Sequence, residues 1–462
     1  MPKRNLFVML LLVAVAAGSW FARERTEHGR RLGEVLATIE RSYLEPVGQD
    51  DLFAAAVDGV FSRLDEHSEF VTGDRRQELE RLLDQEFGGV GLELAESPAP
   101  REISVLSPVV GSPAWHAGIA AGDRIGAIDG VATRQMTVDE ASRRLRGRPG
   151  SSVVVTIIPA AGREEEPATA RDVSLVREVV RTESVLGDRR RPEGSWEWMA
   201  EGETPGCFLV RITSFGERTP AEMRRALDAI EELLADGAEA DTILLDLRGN
   251  GGGLLSSAVE VCDLFLDDGV IVSTRGRGDE AARGDDTVRD VRRATRGAAV
   301  PALKMAVLVD GLTASAAEIV AACLQDHGRA VVVGSRTFGK GTVQSILPLS
   351  DGNGLVKLTT SEYLRPSRVP LHRRADDGSR EAWGVSPDPG CELAPTRRQI
   401  ESLEAWRRRR DAVPAKGRTV VGDEPRSHAV LPRLVDPVLA KAVDVLRGGR
   451  PRGEPGRGES GR

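Results

Sequence analysis

The chain has 462 residues, 40% of them hydrophobic, 29% charged and 4% aromatic, and a formal net charge of −8. At roughly 150 residues per domain this length suggests two or three domains, and the apolar content excludes wholesale disorder. The acidic balance and scarce aromatics exclude a general nucleic-acid binder. Only six of the 63 basic residues are Lys, and each matters, because Arg does not accept a proton at ordinary pH. Cys207, Cys262, Cys323 and Cys391 form neither a CxxC pair nor a Cys/His zinc spacing. No metal site or redox motif is implied, and spacing does not say whether any pair is bridged.

Residues 1–21 read MPKRNLFVMLLLVAVAAGSWF. Lys3 and Arg4 precede an apolar run from Leu6 to Phe21, the pattern of an export signal. The run is near the lower limit of about 17 residues for a membrane-spanning helix. Ala14-Val15-Ala16 offers a small-residue cleavage site, whereas Ser19, Trp20 and Phe21 extend the run and put an aromatic pair at the interface. Two readings stay open: a cleaved signal peptide, or an anchor through residues 6–21, toward which the extended run tilts. Both place the rest of the chain in the cell envelope, periplasmic or facing the extracytoplasmic side of the membrane.

Residues 31–64 carry helical periodicity (Leu32, Val35 and Ile39, then Leu52, Ala55, Val57 and Val60), with Pro46 separating two helices. Leu64-Asp65-Glu66-His67-Ser68 ends the second, and residues 76–84 read as a further short helix. From Phe87 the texture changes. Phe87-Gly88-Gly89-Val90-Gly91-Leu92 is a glycine-rich loop entering a strand. Strands follow at Ile103–Leu106, Arg124–Ile128 and Val153–Ile158, with a helix over Val138–Leu145 behind a Thr137 cap. Residues 160–170 read as a linker or exposed hairpin, and 187–206 as a polar insertion loop. Strands Cys207–Ile212, Thr242–Asp246, Met305–Val309 and Ala330–Val333 then alternate with helices Pro220–Asp236, Leu254–Phe265 and Ala314–His327. This predicts an α/β core with largely parallel pairing. The Gly/Arg/Pro/Glu-rich tail from Gly448 reads as disordered.

Three segments can carry chemistry. Lys340 stands in Thr337-Phe338-Gly339-Lys340-Gly341-Thr342-Val343-Gln344. Its flanking glycines imply a tight turn, and a lysine desolvated in such a turn moves toward a usable base. If the segment is extended, Gln344 faces the same side and its carbonyl can orient the amine. Gly334 to Lys340 also fits GxxxxGK, but Gly341 stands where a phosphate loop needs Ser or Thr, and a strand pattern follows instead of a helix. A merely solvated lysine is the other alternative. Ser315, in Asp310-Gly311-Leu312-Thr313-Ala314-Ser315-Ala316-Ala317-Glu318, falls where a strand turns into a helix. Unpaired N–H groups and the helix dipole favour developing negative charge there, although Ser is also a common helix cap. In Leu244-Leu245-Asp246-Leu247-Arg248-Gly249-Asn250-Gly251-Gly252-Gly253 a strand enters a glycine turn whose amides can face an oxyanion. The alternative is a plain strand-to-helix turn. None of the six His lies in a triad-like motif or HExxH.

Together these segments resemble the C-terminal processing (tail-specific) serine peptidases, which use a Ser–Lys dyad. The resemblance extends to Thr359-Thr360-Ser361-Glu362-Tyr363-Leu364-Arg365-Pro366-Ser367, to Gly384-Val385-Ser386-Pro387-Asp388, and to the early Tyr43-Leu44-Glu45-Pro46-Val47 and Leu64-Asp65-Glu66-His67-Ser68. It covers residues 32–392. It implies Ser315 as nucleophile, Lys340 as general base, and Gln344 orienting Lys340. The N–H groups of Ala316 and Gly252 would form the oxyanion hole, and Asp326 would support from further along the helix. Gly251 stands where the family usually has Pro, and Thr313 and Ala317 replace serines beside the nucleophile.

Residues 76–160 resemble a PDZ domain, on Phe87–Leu94, Ser107–Ile119 and Gly122–Gly130. Consecutive N–H groups at Gly89, Val90, Gly91 and Leu92 would receive a terminal carboxylate, and the following strand would pair with the peptide. The expected organisation is a signal peptide or anchor (1–30), a helical segment (31–75), the PDZ domain (76–160), a crotonase/Clp-like spiral peptidase core (161–395) and a helical C-terminal region with a disordered tail (396–462). The expected function is an exported serine endopeptidase acting on proteins or peptides with accessible C-termini, without cofactor or metal, with an adaptor protein as a further partner. The alternatives are a non-catalytic PDZ scaffold and an adaptor-activated regulatory protease.

Overall fold

The computed structural model describes residues 27–72, 86–98, 101–160, 169–201, 206–276, 288–295, 303–349, 354–374, 383–413 and 436–448. The apolar N-terminal run, the helix expected over 76–84 and the tail beyond 448 lie outside them. No helix among the described residues is long and apolar enough to cross a membrane. The chain divides into a larger unit, 77–343 with 360–462, and a smaller one, 1–76 with 344–359.

The larger unit opens with an antiparallel sheet in the order β1 (Leu92–Pro98), Arg101–Pro108, Arg124–Ile128, Ser152–Ile158, Arg171–Val176. Val153, Val155 and Ile157 alternate inward, as a sheet with one buried face requires. Helix α1 (Val138–Leu145) buries Ala141 and Leu145 and begins on a capping box between Thr137 and Glu140. Among the described residues β1 has a strand neighbour in this sheet on one side only, which leaves an edge for an incoming strand. The sheet runs one strand past residue 160, because Arg171 lies opposite Ile157. Part of the expected insertion loop 187–206 forms a ribbon of Arg189–Arg190 with Trp196–Glu197. There the Arg190 guanidinium lies 3.8 Å over the Trp196 ring, a cation–π contact that stands in for an apolar pattern.

The core sheet is parallel except at one edge, where Val185–Leu186 pairs antiparallel with residues 211–212. Strands β2 (Cys207–Ile212), β3 (Thr242–Asp246), β4 (Lys304–Val309) and β5 (Val331–Gly334) lie side by side in that order. Every residue of β2 and β3 is buried, the signature of a sheet covered on both faces. Helices α2 (Thr219–Ala235), α3 (Leu255–Asp263) and α4 (Ala316–Asp326) pack one face through Met223, Ile230, Val261 and Val320. After helix α5 (Arg397–Asp411), helix α6 (Pro437–Gly448) covers the other face, with Val438, Ala442 and Val443 against Leu244, Ala306 and Leu308. All four cysteines are free and buried.

Strand β6 (Thr342–Pro348) leads into the smaller unit and pairs with β7 (Leu355–Leu364), which leads out of it. Within the smaller unit, residues 355–357 pair with Glu69–Val71. The helix 27–42 and helix Gln49–Phe61 precede that strand. Within the larger unit, residues 361–364 pair with Val270–Gly276.

A buried ion cluster fixes the C-terminal helices. Asp246, at the end of β3, is 1% exposed and pairs with Arg248 and with Arg407 of α5. Arg248 donates to Asp436, just before α6, at 3.0 and 2.7 Å. Burial alone would push Asp246 up, but the Arg248 and Arg407 guanidiniums hold it far below the usual carboxylate range. Asp436 is lowered likewise, burial being outweighed first by Arg248. Both folded pKa values are depressed, so the cluster stabilises the fold above the ordinary carboxylate value of 3.8. That stability is lost as pH falls below it. Asp436→Asn removes one carboxylate from the two guanidiniums and should cost about 3–5 kcal/mol. Faster hydrogen exchange in α6 and a lower melting temperature would register this.

Candidate active site

The strand-to-helix turn after β4 carries Ser315 at φ 56° and ψ −118°, a conformation that strains any residue with a Cβ. Several bonds hold it there. The Thr313 hydroxyl, fully buried, donates to the Leu247 carbonyl at 2.9 Å. The Ala314 N–H donates to the Asn250 carbonyl at 2.9 Å. Asp310 Oδ1 accepts the N–H groups of Gly249, Leu312 and Thr313, each at 3.0 Å. The serine turn and the glycine turn are thereby laced together. At Gly252, with φ 101°, a Cβ would fall 2.8 Å from the Ala314 oxygen and 3.0 Å from the Ala316 nitrogen, so only glycine fits this approach. The Gly252 N–H itself donates to Asn250 Oδ1 at 2.8 Å. Ala316 is the first residue of α4, where backbone N–H groups lack helical partners and the dipole favours negative charge.

The lysine turn meets the serine turn through one carboxylate. Glu318, wholly buried, accepts the Ser315 N–H and the Lys340 N–H on the same oxygen, Oε2, both at 2.8 Å. Its Oε1 accepts the Gly339 N–H at 2.7 Å and the Thr337 hydroxyl at 2.5 Å. Burial raises the Glu318 pKa, opposed by these four donors. Phe338 N–H adds a bond to the Thr313 carbonyl at 2.9 Å. Gly341 is needed because a Cβ there would fall 2.1 Å from the His372 nitrogen. Trp383 caps the same turn: a Cβ at Gly339 would lie 2.8 Å from its ring. Arg336 and Arg373 stack over that indole at 4.7 and 4.8 Å.

Ser315, Ala316, Gly252 and the Lys340 backbone are thus brought together in the larger unit. Gln344 belongs to the smaller one. There its Nε2 donates to the Thr359 hydroxyl at 3.2 Å, and that hydroxyl donates to Asp65 Oδ1 at 3.0 Å. The Thr359 N–H donates to the Ser68 hydroxyl at 3.0 Å, which donates to Asp65 Oδ2 at 2.9 Å. Asp326, at the far end of α4, instead accepts from Arg365 and from the Ser367 N–H, each at 3.0 or 2.9 Å. Burial would raise its pKa, but these donors hold it below the ordinary value. It ties the chain after β7 to the helix.

In the smaller, antiparallel sheet, Gly89 ends the strand Glu86–Gly89 opposite Glu178, and Val90 is buried with its carbonyl accepting the Ala114 N–H at 2.9 Å. The Gly91 carbonyl accepts the Val109 N–H at 3.0 Å and the Ser112 hydroxyl at 3.2 Å. Leu92 opens β1. The carbonyls of this loop are anchored inward, which fixes its backbone. Among the described residues no group of three His, Cys, Asp or Glu is placed to hold a metal ion.

Residues that the sequence did not single out are Glu318, Asn250, Asp310 and Thr359. Only Glu318 announces itself, as the fourth residue of the capping-box pattern S-x-x-E from Ser315. Its bonds to a turn some twenty residues on do not.

Residues 207–388 match the model of peptidase family S41, and residues 104–159 match a PDZ domain. The chain is 32% identical over 359 residues to a carboxy-terminal-processing protease of Bartonella bacilliformis, covering 78% of this chain and 74% of that protein. It is 32% identical over 352 residues to a carboxyl-terminal-processing protease of Synechocystis, covering 76% and 73%. Among solved structures, a photosystem II D1 C-terminal processing protease superposes with a TM-score of 0.42 at 27% identity, covering 83% of this chain and 98% of that one.

Three substitutions probe the turns. Glu318→Gln offers one carbonyl oxygen to four donors, and each buried donor left unpaired costs about 1–3 kcal/mol. It should lower the melting temperature and reduce cleavage of a peptide substrate by about a hundredfold. Gly251→Ala meets open space and no positive φ, and should stabilise by about 0.4–1 kcal/mol. Gly252→Ala should abolish cleavage. Paired thermal melts and cleavage assays distinguish these outcomes.

Proposed function

The chain belongs to peptidase family S41, the carboxy-terminal-processing serine proteases, and carries a PDZ domain; from that footing we propose that Ser315 and Lys340 form its catalytic dyad. The observation that carries the reading is the single Glu318 oxygen bonded to the backbone N–H of both residues. A Ser–Lys pair needs its two members held together from distant parts of the chain, and this carboxylate does so without occupying either side chain.

The chemistry follows from the positions. Neutral Lys340 Nζ takes the proton of Ser315 Oγ as that oxygen attacks the scissile carbonyl carbon. Negative charge gathers on the carbonyl oxygen, opposite the Ala316 N–H at the helix terminus and an amide of the glycine turn. The tetrahedral adduct collapses, the Lys340 ammonium returns its proton to the leaving amine, and an acyl ester on Ser315 remains. Lys340 then deprotonates a water that attacks the ester; the bond to Ser315 Oγ breaks, the Lys340 ammonium returns its proton to that oxygen, and the new C-terminus is released. By the family resemblance, Gln344 is assigned the role of orienting the amine.

The Gly89–Leu92 loop and the edge of β1 would receive a substrate's C-terminal carboxylate and add its last residues as a strand. Apolar residues 6–21 behind Lys3 and Arg4 support export, with the enzyme in the cell envelope, as an anchored or released protein. A second reading, a regulatory protease activated by an adaptor or peptide, draws on Gly252. Its N–H faces Asn250 Oδ1 and has to leave it to serve an oxyanion.

Ser315→Ala and Lys340→Ala should each abolish peptide cleavage while melting like the parent. Lys340→Arg should be equally inactive, because a guanidinium stays protonated. Substantial cleavage by Lys340→Arg overturns the dyad. Amidating a substrate's terminal carboxylate should weaken turnover by removing a charge-assisted bond worth about 1.5–3 kcal/mol. Equal cleavage of acid and amide peptides would show that the loop does not read the terminus.

A further inference from the structure

We propose that Asn250 and Gly251 form a self-modifying site. The Gly251 nitrogen attacks the Asn250 side-chain amide, and the resulting succinimide opens to aspartate or isoaspartate and disables the glycine turn. The chemistry itself is independent of the dyad, and only the activity readout below draws on it.

The chain holds three Asn in 462 residues: Asn5, Asn250 and Asn353. Asn is a thermolabile residue, because the backbone nitrogen that follows it can attack its side-chain carbonyl. Glycine is the follower that obstructs this attack least, having no side chain and the widest backbone freedom. Asn250 and Asn353 are each followed by Gly, and Asn353 lies outside the described residues.

The glycine turn presents both reactants. Asn250 is fully buried, and its Oδ1 accepts the Gly252 N–H, two residues on, at 2.8 Å. Such a bond folds an Asn side chain back along its own main chain, which turns Cγ toward the Gly251 nitrogen. The same N–H meets the negative charge that develops on Oδ1 during attack. Gly251 is exposed, a Cβ there would meet open space, and among the described residues its N–H has no hydrogen-bond partner. The attacking nitrogen is therefore unencumbered and its target is held. Nδ2 donates to the Ile212 carbonyl at 2.8 Å, and the reaction has to break that bond, which sets its pace.

The steps balance without a cofactor or oxidant. Hydroxide takes the Gly251 amide proton, and the nitrogen bonds to Cγ. The Cγ–Nδ2 bond breaks as Nδ2 takes a proton from water, which regenerates hydroxide and releases ammonia. Water then opens the ring at either carbonyl. An aspartate in place of Asn250 sets a buried carboxylate against the Ile212 carbonyl with no donor between them. An isoaspartate lengthens the main chain by a carbon. Neither suits a turn in which the Asn250 carbonyl accepts the Ala314 N–H at 2.9 Å and a Cβ at Gly252 would fall 2.8 Å from the Ala314 oxygen. Each event loosens the glycine turn from the serine turn, so the working life of the protein is limited from within.

The test incubates the full chain in warm, mildly alkaline buffer. Peptide mapping by mass spectrometry across 249–253 and cleavage of a peptide substrate are followed together. Asn250 should first lose ammonia and then show the mass change of amide to acid. The rate should rise in proportion to hydroxide, and cleavage activity should fall in step. Gly251→Pro removes the attacking N–H and should not convert. Gly251→Ala restricts the backbone and should slow conversion by an order of magnitude; it carries the test if Gly251→Pro does not fold. Each variant should keep its own starting activity over the period in which the parent loses its own. Ser315→Ala should convert at the parental rate, because neither dyad member takes part. An intact Asn250 in the folded chain, under conditions in which the urea-unfolded chain converts, overturns the proposal. So does parental conversion in Gly251→Pro or Gly251→Ala, or full activity in converted protein. A parent without cleavage activity at the outset is a failure of the dyad reading, and the mass readout then decides this one alone.

Discussion

The Glu318 carboxylate is the constraint on which the site depends. A nucleophile on one loop and a base on another are useful only if their separation is set to a fraction of an ångström, since small misplacements cost orders of magnitude in rate. Coupling the two backbones to one buried oxygen is a stiff solution. The carboxylate is fully desolvated, which is costly on its own, and four donors offset that cost. The same bonds hold Ser315 in its strained φ, so the strain at Ser315 and the placement of the lysine turn share one source of stability.

Around this point the molecule is arranged in concentric supports. The serine and glycine turns both leave the ends of neighbouring parallel strands, the place where an α/β sheet offers loops on a rigid frame. Asn250 and Asp310 bind the turns to each other. Beneath them, the Asp246–Arg248–Asp436–Arg407 cluster joins the strand that feeds the glycine turn to the C-terminal helices. Those helices also close the second face of the sheet through Val438 and Ala442. The C-terminal region is therefore part of the catalytic core's foundation.

The core strands were legible because an uninterrupted apolar run between glycine turns suits a strand buried on both faces and little else. Cys207–Ile212, Thr242–Asp246 and Arg124–Ile128 fall where the pattern puts them, and the capped helix Val138–Leu145 does too. Where stability comes from pairing through space, the pattern is silent. The strand Arg171–Val176 alternates weakly and is defined by its neighbour. The ribbon around Trp196 is held by an arginine on an indole. Asp326 ends the helix that Ser315 precedes, and only the structure reveals Arg365 and the Ser367 N–H as its partners. Glu318 reads as a helix cap because its nearest partner in sequence is Ser315. Its roles toward Thr337, Gly339 and Lys340 involve contacts that no local window spans.

Trp383 gives the protein a built-in optical reporter. It is one of six tryptophans, it lies against Gly339 beside the lysine, and two guanidinium groups stack over its ring. Indole emission shifts with nearby charge and with access of water. Rearrangement of the lysine turn when a peptide substrate binds would therefore move Arg336, Arg373 or the ring, and alter the emission without any attached dye. With the other five tryptophans replaced by phenylalanine, stopped-flow fluorescence would time movement of the lysine turn independently of bond cleavage.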